Sequence, residues 1–115
     1  MTITIHATNT ELTDALRDHV EKKIQSLEKF FDRIVSAVVD IGLESTHHQK
    51  GKIFYAEVNL HLPDKKMIRV TKNAEDLYKA IEKVKDHLKV ELTKIKEKMR
   101  DKNRDEVRNA KGYQD

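Results

Sequence analysis

The chain has 115 residues, 37% apolar and 37% charged, with no cysteine, and its 23 Lys and Arg against 20 Asp and Glu leave a formal charge of +3. That length suits one domain with a lean core beneath a crowded charged surface. The lack of cysteine excludes a disulfide framework, a thiolate zinc site and a cysteine nucleophile, while the mildly basic balance permits nucleic-acid binding without requiring it. No apolar run approaches the roughly 20 residues that a bilayer demands, and no apolar signal core follows a basic start, so a cytoplasmic protein is expected.

Thr2-Ile3-Thr4-Ile5-His6-Ala7 alternates polar and apolar side chains, which puts Ile3, Ile5 and Ala7 on one face of a first strand. From Thr13 the period lengthens. Leu16, Val20, Ile24, Leu27 and Phe31 recur at steps of four and three and form one stripe of a helix. Thr13 is placed to cap it, since its hydroxyl can accept from an unpaired amide of the first turn, and Asp14 suits the positive end of the helix dipole. Ile34 to Leu43 returns to period two, with Val35, Ala37, Val39, Ile41 and Leu43 on one face. After the polar stretch Ser45 to Gly51, a third strand carries Phe54, Ala56, Val58, Leu60 and Leu62 inward. Pro63-Asp64-Lys65-Lys66 reads as a tight turn with proline at its second position, and Met67 to Thr71 is a fourth strand with Ile68 and Val70 inward.

Asn73 is expected to cap a longer second helix, with Asp76 three positions on, and Leu77, Ile81, Val84, Leu88, Leu92, Ile95 and Met99 form its stripe. The order β-α-β-β-β-α predicts an α+β fold: a four-stranded mixed sheet with two helices packed on one face and the other face wet. The first two strands, joined through a helix, should be parallel with a right-handed crossover, and the later ones antiparallel hairpins. One domain is expected over residues 1–99, and the polar segment 100–115 reads as a fraying helix end and a disordered tail.

With Ile81 at the centre of the buried stripe, a rotation of about 100° per residue places Tyr78, Lys85, Lys89, Lys96 and Arg100 on one flank. Glu82 sits among them, while Glu91 and Glu97 fall elsewhere. Such a ridge is long enough to meet several phosphates of a folded nucleic acid. A lysine-rich helical face also serves solubility, with Glu91–Lys94 and Asp86–Lys89 as expected pairs, so the ridge alone leaves both readings open. The first helix adds Arg17, Lys22, Lys23 and Lys29, with Arg33 just after, and a groove between the helices lined by Lys23 and the ridge would suit folded RNA, which is read through shape and backbone.

Other chemistry finds little support. His6, His47, His48 and His61 lack the spacing of a metal site, and Gly51-Lys52 lacks the upstream glycine and the following Ser or Thr of a phosphate loop. The acids are dispersed among lysines, so no catalytic pair, cofactor or small-molecule substrate is expected. Tyr78 and Tyr113 are candidates to stack on bases, although Tyr78, at the edge of the stripe, reads first as half-core.

Two blocks carry a family resemblance. Glu11-Leu12-Thr13-Asp14-Ala15-Leu16-Arg17 with Leu27-Glu28-Lys29-Phe30-Phe31-Asp32-Arg33-Ile34 resembles the first helix of the short ribosome hibernation-promoting factors, also called ribosome-associated inhibitors or sigma-54 modulation proteins. Glu75-Asp76-Leu77-Tyr78-Lys79-Ala80-Ile81, followed by Leu88, Leu92, Lys94 and Lys96, is similar to that family's second helix. The resemblance implies binding to the small ribosomal subunit and its rRNA, in the cleft where messenger and transfer RNA sit, and arrest of initiation in stationary phase or stress. It implies RNA contacts by Lys79, Lys83, Lys85, Lys89, Lys94 and Lys96 and by Arg17, Lys22, Lys23 and Lys29, to which the ridge adds Arg100.

There are departures. Ala7 stands where many members have glycine, the chain after Lys96 is not expected to follow the family pattern, and the extra C-terminal domain of the long forms is not expected. A monomer is expected when the protein is free. The rivals are a protein-interaction module that modulates an RNA polymerase sigma factor, and an enzyme acting on RNA.

Overall fold

Four segments with period-two alternation pair into one sheet, because each alone would leave its backbone donors and acceptors unpaired. The computed structural model describes the backbone of residues 1–45 and 51–112 and the side chains of residues 1–44 and 51–100. Its elements are β1 (Thr2–Thr8), α1 (Asp14–Gln25) with a 3-10 turn (Ser26–Lys29), β2 (Ser36–Ser45), β3 (Ile53–His61), β4 (Met67–Ala74) and α2 (Leu77–Gly112). The sheet order is β1-β2-β3-β4, with β1 parallel to β2 and the other pairs antiparallel. The expected α+β fold and its mixed sheet are therefore what the chain forms. The segment read as a tail begins within α2; its side chains from residue 101, Tyr113 among them, and the His47-His48 pair lie outside the described residues.

Register decides which face is dry. Ile5, Val39, Val58 and Val70 stand opposite one another across all four strands, and the next row, His6, Asp40, Glu57 and Thr71, points to the other face. Onto the first face α1 and its turn bring Leu16, Val20, Ile24 and Leu27, and α2 brings Leu77, Ala80, Ile81, Val84, Leu88 and Leu92, all buried. No polar or charged residue is buried among the described ones. The α2 stripe runs off this core after Leu92: Ile95 is half-buried and Met99 is 37% exposed.

Three local expectations need correction. Val35 is 57% exposed and Ile34 is buried instead, because the alternation slips where the chain leaves the loop after α1, before β2 begins at Ser36. The second helix is capped by Asp76, not Asn73: the Asp76 carboxylate accepts from the Lys79 amide at 3.0 Å and its carbonyl accepts from the Ala80 amide at 3.1 Å. Asn73 is held in the β3–β4 ladder opposite Tyr55. Pro63 occupies the first position of its turn, not the second. Asp64 and Lys65, with φ of 64° and 61°, are the two central residues, and this left-handed pair matches the twist of the flanking strands.

On the wet face, Gly42 permits a close approach that no other residue would. A Cβ there would lie 2.3 Å from the Thr8 carbonyl oxygen and 3.0 Å from the ring of Tyr55, whose hydroxyl donates to Asp40 Oδ1 at 3.2 Å. Gly42→Ala should therefore cost about 1–3 kcal/mol through overpacking. Leu88→Ala or Leu92→Ala, each removing a fully buried side chain from α2, should cost about 2–5 kcal/mol. Equilibrium denaturation checks both, and an unmoved midpoint for the leucine variants would contradict the packing of α2.

Candidate nucleic-acid interface

Helix α1 starts where Thr13 Oγ1 accepts from the Leu16 amide at 3.1 Å, as its sequence predicts. With Leu16, Val20 and Ile24 turned to the sheet, Arg17 and Lys22 are left exposed, and Lys23, in the last turn, reaches across to α2. Lys22 and Lys23 there also complement the negative end of the helix dipole.

The cations of α2 fall on two flanks, separated by the helical rotation of about 100° per residue. Lys79, Lys83 and Lys94 take the flank away from α1. Lys79 pairs with Glu75 one turn earlier, and this hydrogen bond lowers the Glu75 pKa and raises that of Lys79. Lys83 Nζ donates to the Asn73 carbonyl at 3.2 Å, which ties it to the end of β4, and Lys94 lies 3.7 Å from Glu91, an expected pair.

Lys85, Lys89, Lys96 and Arg100 take the flank beside α1, so the groove draws on this set. At its near end Glu82 is the hub: its carboxylate is 2.7 Å from Lys23 and 3.6 Å from Lys85, and the Lys23 hydrogen bond foremost lowers its pKa. Asp86 adds a second acid 3.6 Å from Lys85, so it pairs there and not with Lys89 as its spacing predicts. Tyr78 is 45% exposed, and its ring meets His19 edge-on with centroids 4.7 Å apart.

His19 Nε2 is buried without a hydrogen-bond partner among the described residues; Glu82, at 3.9 Å, is too distant to accept from it. Burial pushes the His19 pKa down, Glu82 pulls it up and Lys23 pushes it down again, with burial the largest effect.

The far end of the groove is differently charged. Lys89 Nζ sits 4.8 Å from the centroid of Phe30, a cation–π contact that holds the ammonium without cancelling its charge. Lys29, Lys96 and Arg100 gather around one cavity with Phe30 and Thr93, and Glu97, expected elsewhere on the helix, reaches the same cavity. Among the described residues no carboxylate lies within 4.0 Å of Lys29, Lys89 or Lys96. Phosphate would therefore meet an excess of unpaired cations over the one carboxylate of Glu97 at the far end, and charge already shared with Glu82 at the near end. His19 and Phe30 escaped the reading of the sequence as parts of the groove. The only sign of either was its position beside a stripe residue.

His6 and His61 do not join a cluster among the described residues: His6 stands opposite Asp40 and His61 opposite Ser36 on the wet face. Among the described residues no group of three or more His, Asp or Glu is placed to hold a metal ion, and no helix is long and apolar enough to cross a membrane.

The fold and groove define a small α+β domain with a cationic inter-helical face. The chain belongs to the family described as Sigma 54 modulation protein / S30EA ribosomal protein, whose profile matches residues 3–100. It is 40% identical over 98 residues to the ribosome hibernation promoting factor of Azotobacter vinelandii, covering 85% of each chain. To the ribosome hibernation promotion factor of Bacillus subtilis it is 35% identical over 106 residues, 92% of this chain and 54% of the relative. The chain thus spans about half the length of that relative and of its Staphylococcus aureus counterpart, of which it covers 51%. Among solved structures, the N-terminal domain of Thermus thermophilus Protein Y superposes with a TM-score of 0.72 at 34% identity, over 83% of this chain and 99% of that one.

Acidification tests the surroundings of His19. Its folded pKa lies below the usual 6.5, so the unfolded chain takes up the proton first and stability falls as pH drops through that value, levelling once the folded imidazole protonates too. Glu82, with its pKa lowered from 4.5, loses its contribution only at more acidic pH. Thermal melts between about pH 7.5 and 5.5 should show a downward slope in the native protein that His19→Gln flattens; equal slopes would refute the assignment.

Proposed function

We propose that this protein is a ribosome hibernation factor that binds rRNA of the small ribosomal subunit, in the channel of messenger and transfer RNA, and stops translation in stationary phase or stress. The observation that carries this reading is the convergence of Lys29, from the turn after α1, and Lys89, Lys96 and Arg100, from α2, on one groove, in a chain whose relatives are named ribosome hibernation factors. Phosphate contacts by such side chains need no catalysis, and the protein acts by occupying space, without a cofactor, in the cytoplasm and as a monomer. Residues 1–99 are the binding domain in this proposal. Lys23 and Lys85 join the contacts by exchanging Glu82 for phosphate, while Arg17, Lys22, Lys79, Lys83 and Lys94 supply the outer field that steers association.

A sigma-factor partner is the competing reading, favoured by the family description alone. Co-sedimentation with small subunits across a salt series separates the two. If about five cations neutralise phosphates, the logarithm of affinity should fall with the logarithm of salt with a slope of several units. Lys89→Ala or Lys96→Ala should each reduce that slope by about one, and Lys85→Ala by less, because its charge is already shared. Lys102→Ala or Arg104→Ala should leave it unchanged. A flat salt dependence, or binding that persists in lysate cleared of ribosomes, would favour the protein partner.

A further inference from the structure

Past Leu92 the helix α2 has left the sheet and runs over the turn that follows α1. Two cavities open there, one on each side of Lys96. The first, of about 210 Å³, is lined by Phe31, Asp32, Arg33, Lys96 and Met99. The second, of about 240 Å³, is lined by Lys29, Phe30, Thr93, Lys96, Glu97 and Arg100. Each is smaller than the roughly 300–1,000 Å³ that encloses a drug-sized ligand, so each suits one ring system or one phosphate.

The two cavities differ in chemistry. Met99 continues the apolar stripe yet is 37% exposed, so with Phe31 it gives the first cavity an apolar wall, edged by the opposite charges of Asp32 and Arg33. The second sets three cations, Lys29, Lys96 and Arg100, against the one carboxylate of Glu97, with Phe30 already engaged by the Lys89 ammonium. An apolar slot next to a cationic one, with a single lysine between, matches a nucleotide, in which a flat base and a phosphate are held a short distance apart. Unpaired bases of single-stranded RNA dock on apolar, aromatic and guanidinium surfaces in this way, whereas bases stacked in a duplex are not free to enter a slot.

We propose that this end of the groove is a clamp for one unpaired RNA nucleotide, its base in the cavity of Phe31, Arg33 and Met99 and its phosphate between Lys96 and the Lys29–Arg100 side of the second cavity. The clamp rests on the rRNA reading above and adds to it the recognition of a base. A phosphate ridge alone would treat all RNA of equal charge alike.

The test uses the whole protein and a single-stranded RNA hexamer with one 2-aminopurine, compared with the same hexamer made abasic at that position. Binding of the first should change the 2-aminopurine fluorescence, and the abasic hexamer should bind roughly fivefold more weakly or worse. Met99→Ala and Arg33→Ala, both at exposed positions, should abolish the fluorescence change, whereas Lys85→Ala weakens binding but leaves the change intact. Equal affinity for the two hexamers, a silent fluorophore or no hexamer binding at all would overturn the clamp. If the native protein still binds small subunits with a steep salt dependence in those cases, the broader proposal stands. If it binds the base-bearing hexamer selectively but not the subunits, the clamp stands and the broader proposal falls.

Discussion

Everything on the cationic face depends on the packing of α2 against β3, β4 and α1. The stripe from Leu77 to Leu92 exposes less than a tenth of its surface, and a helix held by so continuous a stripe cannot rotate about its axis without exposing apolar surface. That rotation is what aims Lys85, Lys89 and Lys96 at the groove and Lys79, Lys83 and Lys94 away from it. The sheet contributes by having one dry face only. Since β1, β2, β3 and β4 all turn their apolar residues the same way, both helices are driven to one side and their flanks must meet.

Where they meet, charge is unevenly distributed. Near the start of α2, Glu82 holds Lys23 and Lys85 together and stitches α1 to α2 across a partly exposed surface, where such pairs contribute little net stability. Its larger effect is on the field: two of the groove's ammonium groups face a carboxylate before any ligand arrives. Towards the other end Lys89 rests on an aromatic ring, which orients a cation without neutralising it. The groove is therefore polarised along its length, nearly compensated at one end and electropositive at the other. An anionic ligand entering it meets its strongest attraction where the α2 stripe has left the core and the two cavities flank Lys96.

Much of this was legible in residue order alone. Period two in Ile3, Ile5 and Ala7 and in Phe54, Ala56, Val58 and Leu60, and the steps of three and four from Leu16 and from Leu77, are consequences of local backbone geometry, so they reveal strands, helices and buried faces without any knowledge of neighbours. The same periodicity located the ridge of Lys85, Lys89 and Lys96, and Thr13 as a cap, because these are relations within one helix.

Tertiary structure decided whatever depends on which elements meet. Asn73 and Asp76 are both good cap residues; only the β3–β4 ladder, which claims Asn73, selects Asp76. Asp86 is as well spaced for Lys89 as for any lysine nearby, but Phe30 arrives from α1's far turn and draws Lys89 away. The same holds for Glu82, whose link to Lys23 spans separate helices, and for the cavities on either side of Lys96, formed where α2 overruns the end of α1. Contacts between segments distant along the chain leave no periodic trace in either segment, so they exist only once the core has set the helices side by side.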